Sequence, residues 1–382
     1  MARATNLLGL DAAELHALVE ELGQPAYRAD QLMRWLYARG AASFDEMTDL
    51  PLAFRQELAR RAAIGSLRLE GKVRARDRTI KFAFRLHDGP VIESVFIPHK
   101  DRATVCVSSQ AGCGFGCAFC ASGARGLERN LSTAEVVEQA LIVQREAKRR
   151  VTNVVFMGMG EPLANYDNVI KAVRLLNDPK MMGIGARHIA ISTCGLPRQI
   201  HRLAGEKIQV HLAVSLHAPS DEVRDLLMPI NLRHPIADVI AACRDYVART
   251  RRKITFEYAL IAGRNDQPAH ARQLAELVRG MQCVVNLIPL NEFAENLGQS
   301  SPEAVARFAQ VLESSGVEVA MRRARGAQVR AACGQLAGQL TKDRGRATPL
   351  PTRERPGGGR RRVARLAGAK RPPGGKARRS DT

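Results

Sequence analysis

Cys113-Gly-Phe-Gly-Cys117-Ala-Phe-Cys120 carries three thiols in eight residues, at spacings of four and three. A closed structural zinc site normally takes four ligands. A fully ligated four-iron cube also takes four. Three is one short of either, so the spacing leaves two readings open. In one, three cysteines hold an iron–sulfur cube and leave one iron free to bind a substrate. In the other, a distant Cys or His completes a zinc knuckle.

The rest of the chain sets bounds on both. It has 382 residues, 45% hydrophobic and 25% charged, enough for one large core or two smaller ones. No run of about 20 apolar residues exists, so no membrane span is expected. The start, Met1-Ala-Arg-Ala-Thr-Asn-Leu-Leu-Gly-Leu-Asp11, has no secretory apolar region. A cytoplasmic location follows as the expectation, with the eight cysteines in a reducing compartment and outside any disulfide framework. Net charge is +20; residues 342–382 hold 14 Lys and Arg against 3 Asp and Glu, a net +11, which leaves +9 on the remainder. Both parts therefore favour a polyanion, and nucleic acid is the first candidate. Aromatics at 4% argue against an exposed stacking platform. A basic protein with no role on nucleic acid stays as the alternative.

Residues 1–65 read as a helical accessory domain. Asp11-Ala-Ala-Glu14 has capping-box spacing, followed by Leu15, Leu18, Val19 and Leu22 at helical intervals. Further helices are expected from about Ala29 to Gly40, burying Leu32, Trp35 and Leu36, and from about Pro51 to Ala63. Residues 66–102 form a β segment leading into the core. Ile80, Phe82, Phe84 and Leu86 alternate with Lys81, Ala83 and Arg85, and the next strand sets Val91, Glu93, Val95 and Ile97 on one face. Glu93 is a carboxylate on an otherwise apolar face. It is a candidate proton acceptor, or an edge-strand Glu that reaches water.

From 103 to 341 strands and helices alternate. Strand-like runs lie at Thr104–Ser108, Asn153–Met157, His188–Ser192, Gln209–Ser215, Lys253–Leu260, Gln282–Ile288 and Val317–Met321, and Ser132-Thr-Ala-Glu135 opens a helix by a capping box. This predicts an α/β fold with parallel strands and crossover helices, a barrel or partial barrel rather than an open sheet. Ligand sites in such folds lie at the C-terminal strand ends. Pro356-Gly-Gly-Gly359 and Pro372-Pro-Gly-Gly375, interleaved with Arg and Lys, make 342–382 a compositionally disordered basic tail.

Residues with chemical potential follow the expected strands. Gly158-Met-Gly160-Glu161-Pro162 is a Gly-rich turn ending in a carboxylate suited to an ammonium group. Ser192, Ser215-Leu216-His217 and Asn291 place small polar groups at strand ends. Taken one at a time, each reads better as a turn or cap than as a ligand contact.

Five stretches occur in a set order: Cys106-Val-Ser-Ser-Gln-Ala-Gly-Cys113, Gly158-Met-Gly-Glu-Pro-Leu163, Ser215-Leu-His-Ala-Pro219, Asn286-Leu-Ile-Pro289 and Ala332-Cys333-Gly-Gln-Leu336. Together they resemble the RlmN family, radical S-adenosylmethionine enzymes that methylate C2 of adenosine in 23S rRNA and tRNA. The resemblance runs from about Asn6 to Leu340 and includes Asn6-Leu-Leu-Gly-Leu-Asp11 and Tyr27-Arg-Ala-Asp-Gln31. It implies a partial (βα)6-type radical SAM barrel. Cys113, Cys117 and Cys120 would hold one [4Fe-4S] cluster. Gly160, Glu161, Ser192, Ser215, Leu216, His217 and Asn291 would bind S-adenosylmethionine. Cys333 matches the methyl-carrying cysteine, Cys106 the resolving cysteine, and Glu93 the proposed proton acceptor.

The implied scheme uses two S-adenosylmethionine molecules. The first methylates Cys333. The second gives a 5′-deoxyadenosyl radical, which activates that methyl for addition to C2. Loss of the C2 proton and attack by Cys106 release the product and leave a Cys106–Cys333 disulfide for an external donor, such as a flavodoxin system, to reduce. The chain is expected to act as a monomer. Leu127 and Glu292 depart from the family's usual Phe and Pro, which bears on substrate fit. A related enzyme that methylates C8 of the same adenosine shares the cysteine motifs. The N-terminal helical stretch and Arg325-Gly-Ala-Gln-Val-Arg330 look more like the C2 family. The non-enzymatic alternative is a zinc-containing RNA-binding protein. Cys194, Cys243 and Cys283 read as core packing.

Overall fold

The computed structural model describes residues 4–291, 297–321 and 326–336. Glu292, Arg325, and the basic tail from 342 onward lie outside the described residues.

The chain begins with β1 (Thr5–Asn6), a 3-10 turn and α1 (Ala12–Glu21). The first capping box forms: Glu14 N–H donates to the Asp11 side chain at 2.9 Å, and Asp11 N–H donates to the Glu14 carboxylate at 2.8 Å. α2 (Tyr27–Met33) continues into a π-turn at Arg34–Ala38, and Leu32, Trp35 and Leu36 are buried as their spacing requires. α3 (Leu52–Arg61) leads into β2 (Ala62–Ala63), which pairs in parallel with β1. These helices rest against the core. A Cβ on Gly9 would meet that of Ala134 at 3.3 Å, and ion pairs join Lys171 to Glu14 and Lys180 to Asp30.

β3 (Arg68–Arg74), β4 (Ile80–Arg85) and β5 (Val91–Pro98) form an antiparallel meander that continues into β6 (Ala103–Cys106). A separate hairpin, β7 (Gln110–Cys113) with β8 (Gly126–Asn130), encloses the cysteine loop and the short α4 (Ala121–Ala124). α5 (Thr133–Ala147) starts from the expected box, with Ser132 N–H donating to Glu135 at 2.8 Å. Strands and helices then alternate. They are β9 (Asn153–Phe156), α6 (Tyr166–Asn177), β10 (Ile189–Thr193), α7 (Pro197–Ala204), β11 (His211–Ser215), α8 (Asp221–Leu227) and α9 (Ile236–Thr250). β12 (Ile254–Leu260), α10 (Pro268–Val278), β13 (Cys283–Pro289), α11 (Pro302–Ser314) and β14 (Glu318–Met321) complete the series.

Among the described residues, all but four short strands join one sheet in the order β14-β13-β12-β11-β10-β9-β6-β5-β4-β3. β6 and β9 to β14 run parallel. Both sides of β6 are occupied, by β5 and by β9, so β14 has no edge of β6 on which to close a ring. Among the described residues the sheet is open, with β14 and β3 at its edges.

The sequential strand order with right-handed crossovers puts the helices on one face. Side chains toward that face are fully buried: Val154, Phe156, Ile191, Leu212, Val214, Phe256 and Val285 are all 0% exposed. The alternate positions face the other way and are small or polar. Register aligns them into rows across the strands, Val155–Ala190–His211 and then Ser215–Glu257–Asn286. Parallel strands covered on both faces read as continuous apolar runs. These strands alternate instead, because their second face is left for a ligand.

Candidate active site

The cysteine loop follows β6, at the C-terminal end of the parallel strands. Its hairpin needs a glycine at 112. There φ is +76°, and a Cβ would stand 1.8 Å from the Gly126 carbonyl oxygen. Ala118 N–H donates to the Leu227 carbonyl of α8 at 2.9 Å. Phe115, Cys117 and Phe119 pack on an apolar cluster containing Cys194, Leu227, Met228 and Ile230. The loop is therefore held on α8 by backbone and side chains together.

One cavity is lined by Cys113, Cys117 and Cys120 and also by Gly160, Glu161, Ser192, Ser215, His217, Asn291 and Cys333. Strand ends from β9 to β13 contribute to it, as the position of ligand sites in parallel sheets requires. Cys333 arrives from the far end of the chain. Ala121 N–H donates to the Gly334 carbonyl at 2.7 Å, the Ser122 hydroxyl to the Leu336 carbonyl at 2.6 Å, and Asn291 Nδ2 to the Cys333 carbonyl at 3.1 Å. Gly326 N–H donates to Asp77 at 3.0 Å, which ties the same segment to the β3–β4 turn. Gly334 has φ +82°, and a Cβ there would lie 2.9 Å from the Phe119 carbonyl oxygen. Close approach of Cys333 to the cysteine loop depends on that glycine.

Glu161 is 4% exposed. Its two carboxylate oxygens accept N–H donors from Leu163 at 2.9 Å and Cys194 at 2.8 Å. Burial pushes its carboxyl pKa up, and the backbone donors of Cys194 and Leu163 oppose that shift. His217 sits at φ +55°. Its Nδ1 accepts from Ala259 N–H at 2.9 Å, so the neutral ring carries its proton on Nε2. Burial, with the Arg224 charge nearby, lowers its pKa to about 3. The Phe119 ring meets the His217 ring edge-on at 4.8 Å between centroids. Leu216 does not line the cavity. It is buried, and its carbonyl accepts from Arg224 Nε at 3.1 Å.

Sequence reasoning missed Arg224. It is 0% exposed and donates to carbonyls of Cys194 (2.5 Å), Ser215 (3.3 Å), Leu216 and His234, and to Asn231 Oδ1 (2.8 Å). It thereby joins the turn after β10 to the turn after β11. Glu257 was also missed. It lines the cavity and accepts from Asn286 Nδ2 at 2.7 Å. Its signal was legible: a Glu flanked by apolar residues at an alternate position of Ile254-Thr-Phe-Glu-Tyr-Ala-Leu260.

Cys106 and Glu93 do not line that cavity. Cys106 ends β6 and is buried, paired across to Val95 of β5. Glu93 lies on β5, is 0% exposed, and forms an ion pair with Lys81 of β4 at 3.0 Å. The alternative of an edge-strand Glu reaching water is thus corrected: β5 is flanked by β4 and β6, and the carboxylate is buried.

Burial pushes the Cys113 thiol up to about 11 and the Cys117 thiol further, with neighbouring thiols and Glu161 adding to the shift. Iron binds thiolates, so cluster assembly must expel these protons. Three thiols lining one cavity, beside Gly-rich backbone, polar side chains and the carboxyls of Glu161 and Glu257, suit a three-cysteine cube, which they would hold as thiolates. Among the described residues, no three His, Cys, Asp or Glu side chains converge closely enough to hold a single metal ion. All eight cysteines are free thiols, so the disulfide expected between Cys106 and Cys333 is not formed in this structure. Cys194, Cys243 and Cys283 are buried, as expected, though Cys194 also borders the cavity. Among the described residues no helix is long and apolar enough to cross a membrane.

Comparisons with known proteins agree with this geometry. Residues 107–275 match the radical SAM superfamily, and residues 5–64 match the ribosomal RNA large subunit methyltransferase N-terminal domain. A probable dual-specificity RNA methyltransferase RlmN from Thermosynechococcus vestitus is 50% identical, over 86% of this chain and 97% of its own length. One of the same description from Desulforamulus reducens is 46% identical, over 87% of this chain and 95% of its own. The crystal structure of a radical SAM methyltransferase from Sphaerobacter thermophilus, 47% identical, superposes with a TM-score of 0.85 and covers 88% of this chain and 100% of its own. With its three-thiol loop, its Cys333 segment and its helical start, the chain belongs to the RlmN family of radical SAM methyltransferases.

Proposed function

We propose that this enzyme methylates C2 of an adenosine in 23S rRNA and of the adenosine 3′ of the anticodon in tRNA. Cys333 carries the methyl group and Cys106 releases the product. The observation that carries this reading is Cys333 on the wall of the cavity that holds Cys113, Cys117 and Cys120. A thiol there can receive a methyl group and then meet a base entering from the open face of the sheet. C2 of adenine is a C–H carbon without a nucleophilic lone pair. The [4Fe-4S] cluster and S-adenosylmethionine, when bound, supply the one-electron chemistry that such a carbon requires.

The chain's own residues bind and orient. Cys113, Cys117 and Cys120 hold the cluster as thiolates. Gly160 brings backbone close to the ligand, Glu161 and Asn291 receive its charged end, and Ser192, Ser215 and His217 line its other side, with Leu216 behind them. His217 acts as a neutral Nε2–H donor, since its Nδ1 is already an acceptor. Glu93 accepts the C2 proton. Residues 1–65 and the basic tail at 342–382 extend the RNA contact, and residues 66–102 carry the proton acceptor into the core at 103–341. A flavodoxin-type donor reduces a monomeric enzyme in the cytoplasm.

The test uses the full chain, purified anaerobically, which should be brown and carry about four irons per chain. With RNA and S-adenosylmethionine, Cys106→Ala should accumulate a covalent protein–RNA adduct, because release needs the second thiol. Free turnover of that variant would refute the assignment of Cys106. Mass spectrometry of the digested RNA product should show 2-methyladenosine, and 8-methyladenosine would move the chain to the C8 reaction.

A further inference from the structure

Register across β4, β5 and β6 sets Lys81, Val95 and Cys106 in one row, with Ala83 and Glu93 in the next. Directly opposed residues share a face, and side chains two apart on a strand share it too. Lys81, Glu93 and Cys106 therefore all face the same side. The intervening Ser94 points the other way, where its hydroxyl meets Gln139 of α5 at 2.7 Å. α5 takes that second side, so the Lys81–Glu93 pair lies on the sheet face away from it, the face on which Cys106 also stands.

The pair is almost wholly out of water, Lys81 at 4% and Glu93 at 0%, with Nζ and Oε1 3.0 Å apart. The Glu93 backbone is held too, because its carbonyl accepts the Ser108 hydroxyl at 2.6 Å. Taking two charges out of water opposes folding, and an apolar pair of similar size would serve stability as well or better. A buried ion pair on the same face as Cys106 calls for a functional account.

We propose that Lys81 is a positioning residue that holds the Glu93 carboxylate in place to take the C2 proton from the RNA adduct. The inference rests on the reading of Glu93 and Cys106 given above. In this step the C2–H bond breaks heterolytically. The proton goes to a Glu93 oxygen, and the electron pair stays in the purine. Lys81 makes no bond to the substrate. Without the ammonium group the carboxylate loses the ion pair that fixes its direction.

The experiment follows two steps separately in the reconstituted full chain. Methylation of Cys333 is read by intact-protein mass before RNA is added. Release is read as the ratio of free methylated RNA to covalent adduct. Lys81→Met should methylate Cys333 within about twofold of the parent and slow release by about a hundredfold, with adduct accumulating. Lys81→Arg, which keeps the charge, should restore release to within about tenfold. Glu93→Gln should reproduce Lys81→Met. The double variant, which leaves no lone buried charge, should be no worse than either single one. Normal release by Lys81→Met, or by the double variant if the single one does not fold, overturns the proposal. Equal loss of both steps, or failure of Lys81→Arg to restore release, overturns it as well. If Cys106→Ala traps adduct while Lys81→Met releases normally, only the Lys81 inference falls. If Cys106→Ala traps none, the underlying reading of the release step falls.

Discussion

His217 has its protonation state set by one hydrogen bond and by burial. Its folded pKa of about 3 lies below its ordinary 6.5. Between these values the unfolded chain binds a proton that the folded chain does not. The contribution to stability is therefore whole above pH 6.5 and falls as pH drops toward 3, by about 1.4 kcal/mol per pH unit. Burial pushes the Glu138 carboxyl up to about 7, so it gives the opposite slope between 4.5 and 7. A difference measurement separates the two. Urea unfolding at pH 7.0 and 5.5 should show a steeper loss for the parent chain than for His217→Asn, and equal losses would refute the assignment. Asn is chosen because it tolerates the positive φ at this site. The Lys81–Glu93 pair makes a second claim at this scale. Lys81→Met should lower unfolding free energy by about 3–5 kcal/mol, because it strands a buried carboxylate. Lys81→Met with Glu93→Gln should recover much of that loss by the same measurement.

At the scale of elements, α8 connects the parts of the site. Its Leu227 carbonyl takes the N–H of Ala118 in the cysteine loop, and its Arg224 clamps the turns after β10 and β11. The acceptors of Arg224 are backbone carbonyls and an amide. Asn231 in turn donates to Asp221 and Asp225 at 2.8 and 2.7 Å, so the counter-charges stand one residue removed. Arg224→Met leaves several buried carbonyls unsatisfied, at about 1–3 kcal/mol each. Equilibrium dialysis should show S-adenosylmethionine affinity reduced at least about tenfold. Unchanged affinity would mean that the two turns hold their shape without the clamp. The Cys333 segment is bound in a different way, by hydrogen bonds to Ala121 and Ser122 and by the left-handed Gly334. A side chain at 334 pushes this segment off the Phe119 carbonyl. Gly334→Val should block methylation of Cys333, seen by intact-protein mass, while iron content is kept.

For the whole molecule, charge divides between a body at +9 and a tail at +11. A chain ending at Thr341 should still methylate RNA, and its RNA affinity should depend less steeply on salt. Every phosphate that the shortened chain no longer neutralises lowers the slope of log affinity against log salt by about 0.7–0.9. Filter binding across a salt series checks this, and an unchanged slope would show that the tail neutralises no phosphate.

Much of the fold was legible because it rests on local pattern. The capping boxes at Asp11 and Ser132, the apolar stripe of α1 and the runs that became β9 to β13 depend on neighbours within a few residues. β3 and the β7–β8 hairpin were not legible. Arg68–Arg74 is mixed in polarity, and the hairpin depends on the close approach of Gly112 and Gly126 rather than on period two.

The chemistry divides along the same line. Three thiols within one loop and five ordered motifs are local facts of spacing, so the kind of cofactor and the family can be read along the chain. Which distant residues act together is set by the folded chain. Cys333 joins the cysteine loop through hydrogen bonds across the chain. Lys81 meets Glu93 through strand register, and Arg224 reaches carbonyls of two turns from a third element. That the sheet is open among the described residues, as a partial barrel is and a closed one is not, has a similar reason. Whether β14 can close on β6 depends on which strand already holds the other edge of β6, and strand pairing is a long-range choice that periodicity does not encode.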